Sequence, residues 1–193
     1  MIHEEGKKPS EVSRKDEIFV SPSGLVSIAG GKLTGYRKMA ERVVDLVMRE
    51  FYQEEYKRFL KSGTENIPLS GGKIEGGLEM FFARTKAEYS AKGLDDESLR
   101  HLCGKYGSNV GAILGGVQGK TAVSIALAEL EYCLHQEMTT SLADFLIRRT
   151  GRLWFEWDSV QELYTPLLEK MAGLLNWDLS QKNFYQEQFE NFY

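Results

Sequence analysis

SIAGGKLTGYRKMAE, residues 27 to 41, sets a short apolar run against two glycines, then a lysine, a threonine and an amphipathic segment. Upstream, Ser-Pro-Ser-Gly at 21–24 punctuates the start of GLVSIA (24–29), whose apolar and β-branched residues predict a strand. Downstream, Met39, Val43, Val47 and Phe51 recur at spacing four, which predicts a helix with one buried face. Thr34 is placed to cap that helix through its hydroxyl. A strand, two glycines and a helix start make a turn that favours negative charge. The glycines let a ligand approach the backbone, the first helical amides are unpaired, and the dipole adds positive potential. Lys32 adds a full charge at the same place. The spacing alone also admits a glycine-rich turn with a solvated lysine and no ligand.

Around this stretch the organisation is uneven. The first 20 residues are polar and charged and read as a loop or an extended arm. The charged tail of the helix, REFYQEEYKRFLKSGTE (49–65), runs out at Ser62-Gly63, which reads as a linker. Beyond it nearly everything reads as helix. Residues 77–92 place Leu78, Phe81 and Phe82 on one side, with Gly93 as a stop. Asp95, Asp96 and Glu97 open the next helix, where carboxylates complement the positive end of the dipole, and it ends near Gly107. Thr121 to Gln136 reads as a long helix, Thr140 as the cap of SLADFLIRRT (141–150), and 158–175 and 180–192 as two more. Trp154, Phe155, Trp157 and Trp177 read as core or interface anchors. The expected architecture is mainly α, with a division into residues 1–62 and a helical domain at 63–193.

Bulk properties narrow the function. A chain of 193 residues holds one ordinary domain, or one domain plus a piece of another. With 42% hydrophobic and 27% charged residues it has the composition of a soluble globular protein. A net charge of −4 argues against a general nucleic-acid binder, which needs a basic face. No apolar run is long enough to cross a bilayer, and MIHEEGKKPSEVSRKDE (1–17) has no apolar core of a signal peptide. Two cysteines, Cys103 and Cys133, give no disulfide framework and point to a reducing cytoplasm. Peripheral attachment at the inner face of the membrane and homo-oligomerisation stay open.

Three further constellations fail as sites. GGVQGKTA (115–122) resembles a phosphate-binding loop but is one residue short, and the loop length is part of how successive amides meet phosphate. It reads better as a turn between helices. His101 and Cys103, with Cys133 and His135, are good zinc ligands at a poor spacing, because residues two apart on a helix point about 200° apart. Ordinary buried cysteines are the simpler reading. Arg148, Arg149 and Arg152 could hold an anion, but arginines at a helix end more often bond the last carbonyls and pair with nearby carboxylates.

The opening turn suits phosphate, carboxylate or the pyrimidine edge of a flavin. SGLVSIAGGKLTGYRKMAE (23–41) resembles the closing segment of FAD-dependent glycerol-3-phosphate dehydrogenases, and its LTGYRKMAE form is most similar to bacterial α-glycerophosphate oxidase. SRKDEI (13–18), IPLSGG (67–72), KYGS (105–108) and HQEMTTSLADFLIRRT (135–150) are similar to that family in the right order, so the resemblance spans nearly the whole chain. It implies a C-terminal fragment. Family members begin with an FAD domain carrying G-x-G-x-x-G, and that pattern occurs nowhere in this sequence. Residues 1–62 would then be the end of the FAD- and substrate-binding domain, and 63–193 the helical C-terminal domain.

The resemblance further implies that Gly30, Gly31, Lys32, Leu33 and Thr34 contact FAD, that Lys32 also reaches substrate, and that Arg14 binds the substrate phosphate. The implied parent reaction is oxidation of glycerol 3-phosphate, with oxygen as acceptor in the oxidase and quinone in the dehydrogenase. Gly35, where a second threonine would otherwise stand, leans towards the oxidase. The missing N-terminal FAD domain would be the partner, no catalytic base is visible, and the fragment alone would be inactive. A helical protein-interaction module without enzymatic activity is the alternative.

Overall fold

The computed structural model describes residues 16–58 and 61–192. Arg14 lies outside them. The chain divides into two compact units, Met1–Pro68 and Leu69–Tyr193.

In the first unit, strand β1 (Asp16–Val20) pairs antiparallel with β2 (Val26–Gly30), with Ile18 opposite Ile28. Residues 16–20, expected as part of a loop or arm, are therefore a strand. Their pairing is closed by a turn in which the Gly24 amide donates to the Ser21 carbonyl at 2.9 Å. Helix α1 (Tyr36–Phe51) follows a single 3-10 turn at Leu33–Gly35. Thr34 does not cap the helix. The chain starts winding at Lys32, so Thr34 already lies inside the turn, and Gly35 occupies the α1 cap position with no side-chain bond. Met39, Val43 and Val47 are half-buried and Phe51 is exposed. The hairpin edge reaches this face through an Asp16–Arg42 ion pair and the packing of Gly24 near the Phe51 ring. A short helix, α2 (Gln53–Tyr56), ends the described part of this segment.

The second unit is helical: α3 (Leu78–Glu88), α4 (Asp96–Tyr106), α5 (Val110–Gly116), α6 (Ala122–Gln136), α7 (Arg152–Phe155), α8 (Trp157–Leu175) and α9 (Leu179–Glu190). Gly93 stops the segment after α3 in a left-handed conformation, as the sequence indicates. GGVQGKTA is the turn between α5 and α6, with the Thr121 hydroxyl accepting from the Ser124 amide at 3.1 Å. Between α6 and α7 runs a π-helical segment, Asp144–Arg149. The helical residues 142–143 lead into it, and Ser141, not Thr140, caps that whole run: the Ser141 hydroxyl accepts from the Asp144 amide, and the Asp144 carboxylate accepts from both residues' amides and from the Thr140 hydroxyl. Thr140 donates here because the carboxylate three residues past Ser141 closes the reciprocal pair.

Two apolar clusters share α6. One packs Phe82, Leu99, Leu102, Ile113 and Leu114 against Ile125 and Ala128; the other packs Ala126, Leu130 and Cys133 against Phe145, Leu167, Met171 and Phe189. Trp177 is an anchor within this unit, stacked on Tyr185 at 4.3 Å between centroids. Trp154 and Phe155 are not core residues; they are 63% and 87% exposed. Helix α9 starts with a capping box between Asp178 and Gln181, at 2.8 and 3.0 Å. Asp178→Ala is expected to cost about 1 kcal/mol, seen as a small fall in the thermal midpoint.

IPLSGG and KYGS meet here. Gly71 (φ +83) lies so close to the end of α4 that a Cβ on it would overlap the Tyr106 carbonyl oxygen, and a Cβ on Gly107 (φ +52) would overlap the Gly71 carbonyl oxygen. The Ser108 amide donates to that Gly71 carbonyl at 2.9 Å. The two motifs are halves of one backbone crossing. Only glycine fits both sides of it.

Candidate functional site

The turn at the end of β2 carries Gly30, Gly31, Lys32, Leu33 and Thr34 together; Arg14, the other expected site residue, lies outside the described residues. Gly30 and Gly31 have φ of +84° and +88°, where side chains with a Cβ are strained. A Cβ on Gly31 would also meet the Met39 sulfur at 2.7 Å. Lys32 is extended (φ −87°, ψ 141°), and the first amides of the following turn, at Leu33 and Thr34, have no side chain capping them. Among the described residues Lys32 forms no ion pair. Leu33 is 91% exposed. Beside the turn is an apolar hollow of about 680 Å³ lined by Ile28, Leu33, Tyr36, Met39, Ala40 and Val44. Gly30, Gly31, Lys32, Leu33 and Thr34 thus share one turn that offers half-buried glycine backbone, amides with no side-chain cap and an ammonium beside an apolar wall. Such a wall suits a flat aromatic ring system, and the amides suit its polar edge, so these residues fit an isoalloxazine ring.

The other constellations take structural roles. Arg148 pairs with Asp144 at 2.8 Å, Arg149 bonds the Glu137 carbonyl, and Arg152 pairs with Glu129 at 2.7 Å and Glu156 at 3.3 Å. Cys103 and Cys133 lie in different apolar clusters. The Cys133 thiol is pushed up to about 12, chiefly by burial. Among the described residues no group of three or more histidine, cysteine or acidic side chains is placed to hold a metal.

One ionic cluster goes beyond the sequence reading. Glu129 is fully buried; its carboxylate accepts from the Tyr106 hydroxyl at 2.6 Å and from Lys105 at 2.9 Å, and pairs with Arg152. Burial opposes its charge, but Arg152, Lys105 and the Tyr106 hydroxyl outweigh burial and hold it below the usual carboxylate range. The signal was present. Glu129 stands between Ile125 and Cys133 at spacing four, on the apolar stripe of α6.

Residues 62–182 match the family described as the C-terminal domain of alpha-glycerophosphate oxidase. The chain belongs to that family. It is 44% identical, over 97% of its length, to the aerobic glycerol-3-phosphate dehydrogenase of Bacillus subtilis, and 39% identical, over 98%, to that of Staphylococcus epidermidis. It spans 35% of the length of each, about a third. The solved structure of the glycerol-3-phosphate dehydrogenase from Bacillus halodurans, complexed with FAD, superposes with a TM-score of 0.78 at 36% identity, over 91% of this chain and 36% of that one. The family match falls on the helical segment, whereas the similarity to the relatives runs over nearly the whole chain.

Proposed function

We propose that this chain is the C-terminal part of an FAD enzyme that oxidises glycerol 3-phosphate to dihydroxyacetone phosphate, and that it is inactive alone. The observation that carries this reading is the turn at Gly30–Thr34, a half-site of bare amides and apolar wall, in a chain whose relatives bear that substrate's name. Residues 1–62 end the FAD- and substrate-binding domain, and 63–193 form the helical C-terminal domain. FAD, when bound, accepts the hydride from C2 of the substrate. This chain's part is to hold and orient: Gly30, Gly31, Leu33 and Thr34 present backbone to the flavin, Lys32 supplies positive charge to flavin and substrate, and the Arg14 guanidinium forks onto the substrate phosphate. The remaining two thirds of the enzyme supplies the dinucleotide fold and the rest of the pocket.

Two acceptors are separable. Gly35 favours oxygen, with hydrogen peroxide as product, while the relatives' shared name, dehydrogenase, favours a quinone. In this reading the reaction belongs in the cytoplasm or peripherally at the inner face of the membrane. No helix among the described residues is long and apolar enough to cross a membrane. A protein-docking role for the helical domain has one observation in its favour, the exposed Trp154 and Phe155.

In the full-length enzyme, Lys32→Ala and Arg14→Ala are each expected to lower kcat/KM for glycerol 3-phosphate roughly 10- to 100-fold, the worth of one charge-assisted contact. Arg14→Ala is expected to act mainly on KM. Rates unchanged by both substitutions would remove the site assignment. Stoichiometric peroxide in the same assay identifies the oxidase; oxygen-independent turnover with a quinone identifies the dehydrogenase.

A further inference from the structure

Helix α7 is a single turn of four residues, entered from Gly151 in a left-handed conformation (φ +69). So short a helix does not hold itself, because fixing the first turn costs more than its few bonds return. Its apolar anchorage is one buried leucine, Leu153, while Trp154 and Phe155 fan out to solvent. What ties it down is Arg152, which reaches inward to Glu129 on α6 at 2.7 Å and along the chain to Glu156, just ahead of α8, at 3.3 Å. Glu129 is in turn held by Lys105 and Tyr106 at the end of α4. The Tyr106 hydroxyl also stands 3.7 Å from the Cys133 sulfur, and that sulfur 3.5 Å from Glu137.

We propose that the buried Glu129 carboxylate is a charge lock that positions α7, and with it the aromatic surface at Trp154 and Phe155. The carboxylate is hydrogen-bonded from α4 and ion-paired to α7 at once, and this two-sided attraction favours one placement of its partners, whereas apolar contacts tolerate sliding. Buried ion clusters of this kind often stabilise no better than a well-packed apolar substitute. Their distinctive contribution is to choose one arrangement, and here the arrangement chosen is that of a surface turn with little else to fix it. The inference is independent of the flavoenzyme reading.

The test is hydrogen exchange, read by mass spectrometry on this chain, with residues 151–156 compared against α6 and α8. In the variant Lys105→Met/Glu129→Met/Arg152→Met, the thermal midpoint is expected to stay near that of the parent. Exchange at 151–156 is expected to rise about tenfold or more while α6 and α8 keep their protection. Unchanged protection at 151–156 would overturn the proposal, as would an equal loss across all three segments. If the triple variant fails to fold, Arg152→Met and Arg152→Lys decide the matter. The lock requires lysine to restore most of the protection that methionine loses; equal loss in the two would show that charge does not hold the turn.

Discussion

Glu129→Ala is expected to lower the stability of the helical unit by about 3–5 kcal/mol, because it strands the buried charge of Arg152 and leaves the Tyr106 hydroxyl without its acceptor. For a domain of this size that corresponds to a fall of roughly 10 °C or more in thermal midpoint, measurable by circular dichroism. The loss should exceed that for a surface pair such as Arg100–Glu79, which is exposed on both sides. It should also depend on pH in one direction. The folded-state pKa of Glu129 lies below its ordinary 4.5. Its contribution is therefore fully present above that ordinary value and is lost as pH falls through the lower, folded one. The gap between parent and Glu129→Ala should accordingly be constant near neutrality and narrow below about pH 4.5. A gap that widened on acidification would mean that the carboxylate is not held in its charged form.

Gly107→Ala and Gly71→Ala are expected to cost about 2–6 kcal/mol each, combining a strained positive φ with overlap of packed backbone. Both glycines face a carbonyl oxygen rather than a flexible side chain, so nothing nearby can swing aside. Gly104 in α4 is the control: a Cβ there meets nothing within 4 Å, and Gly104→Ala should be neutral or stabilising by about 0.5–1 kcal/mol. Denaturant midpoints of the three variants give the comparison. Equal midpoints for Gly104→Ala and Gly107→Ala would contradict the crossing.

The helical unit was largely legible because its signals are local. Asp95, Asp96 and Glu97 stand at the start of α4, Gly93 and Gly107 stop helices as expected, and the long α6 follows its Ala- and Leu-rich run; that Asp95 and Thr121 are the caps comes from the structure. What escaped was set by distant partners. Residues 16–20 become a strand through pairing with Val26–Gly30, not through a period of their own. Thr34 and Thr140 are sound cap residues displaced by neighbours, an early 3-10 turn in one case and the Ser141–Asp144 pair in the other. Trp154 and Phe155 read as core or interface anchors; a one-turn helix after a left-handed glycine faces them outward, which removes the core alternative and leaves the other. The candidate site was legible as a turn, since its glycines, lysine and threonine are contiguous. Its completion, and the position of Arg14, depend on structure outside the described residues.

The most direct measurement mixes this chain with a separately produced N-terminal portion of the enzyme loaded with FAD. The flavin absorbance is then followed without oxygen on addition of glycerol 3-phosphate. Bleaching that requires both chains, and that Lys32→Ala slows, is the predicted result. A complex shown to form and to retain flavin, yet indifferent to glycerol 3-phosphate, would contradict the account.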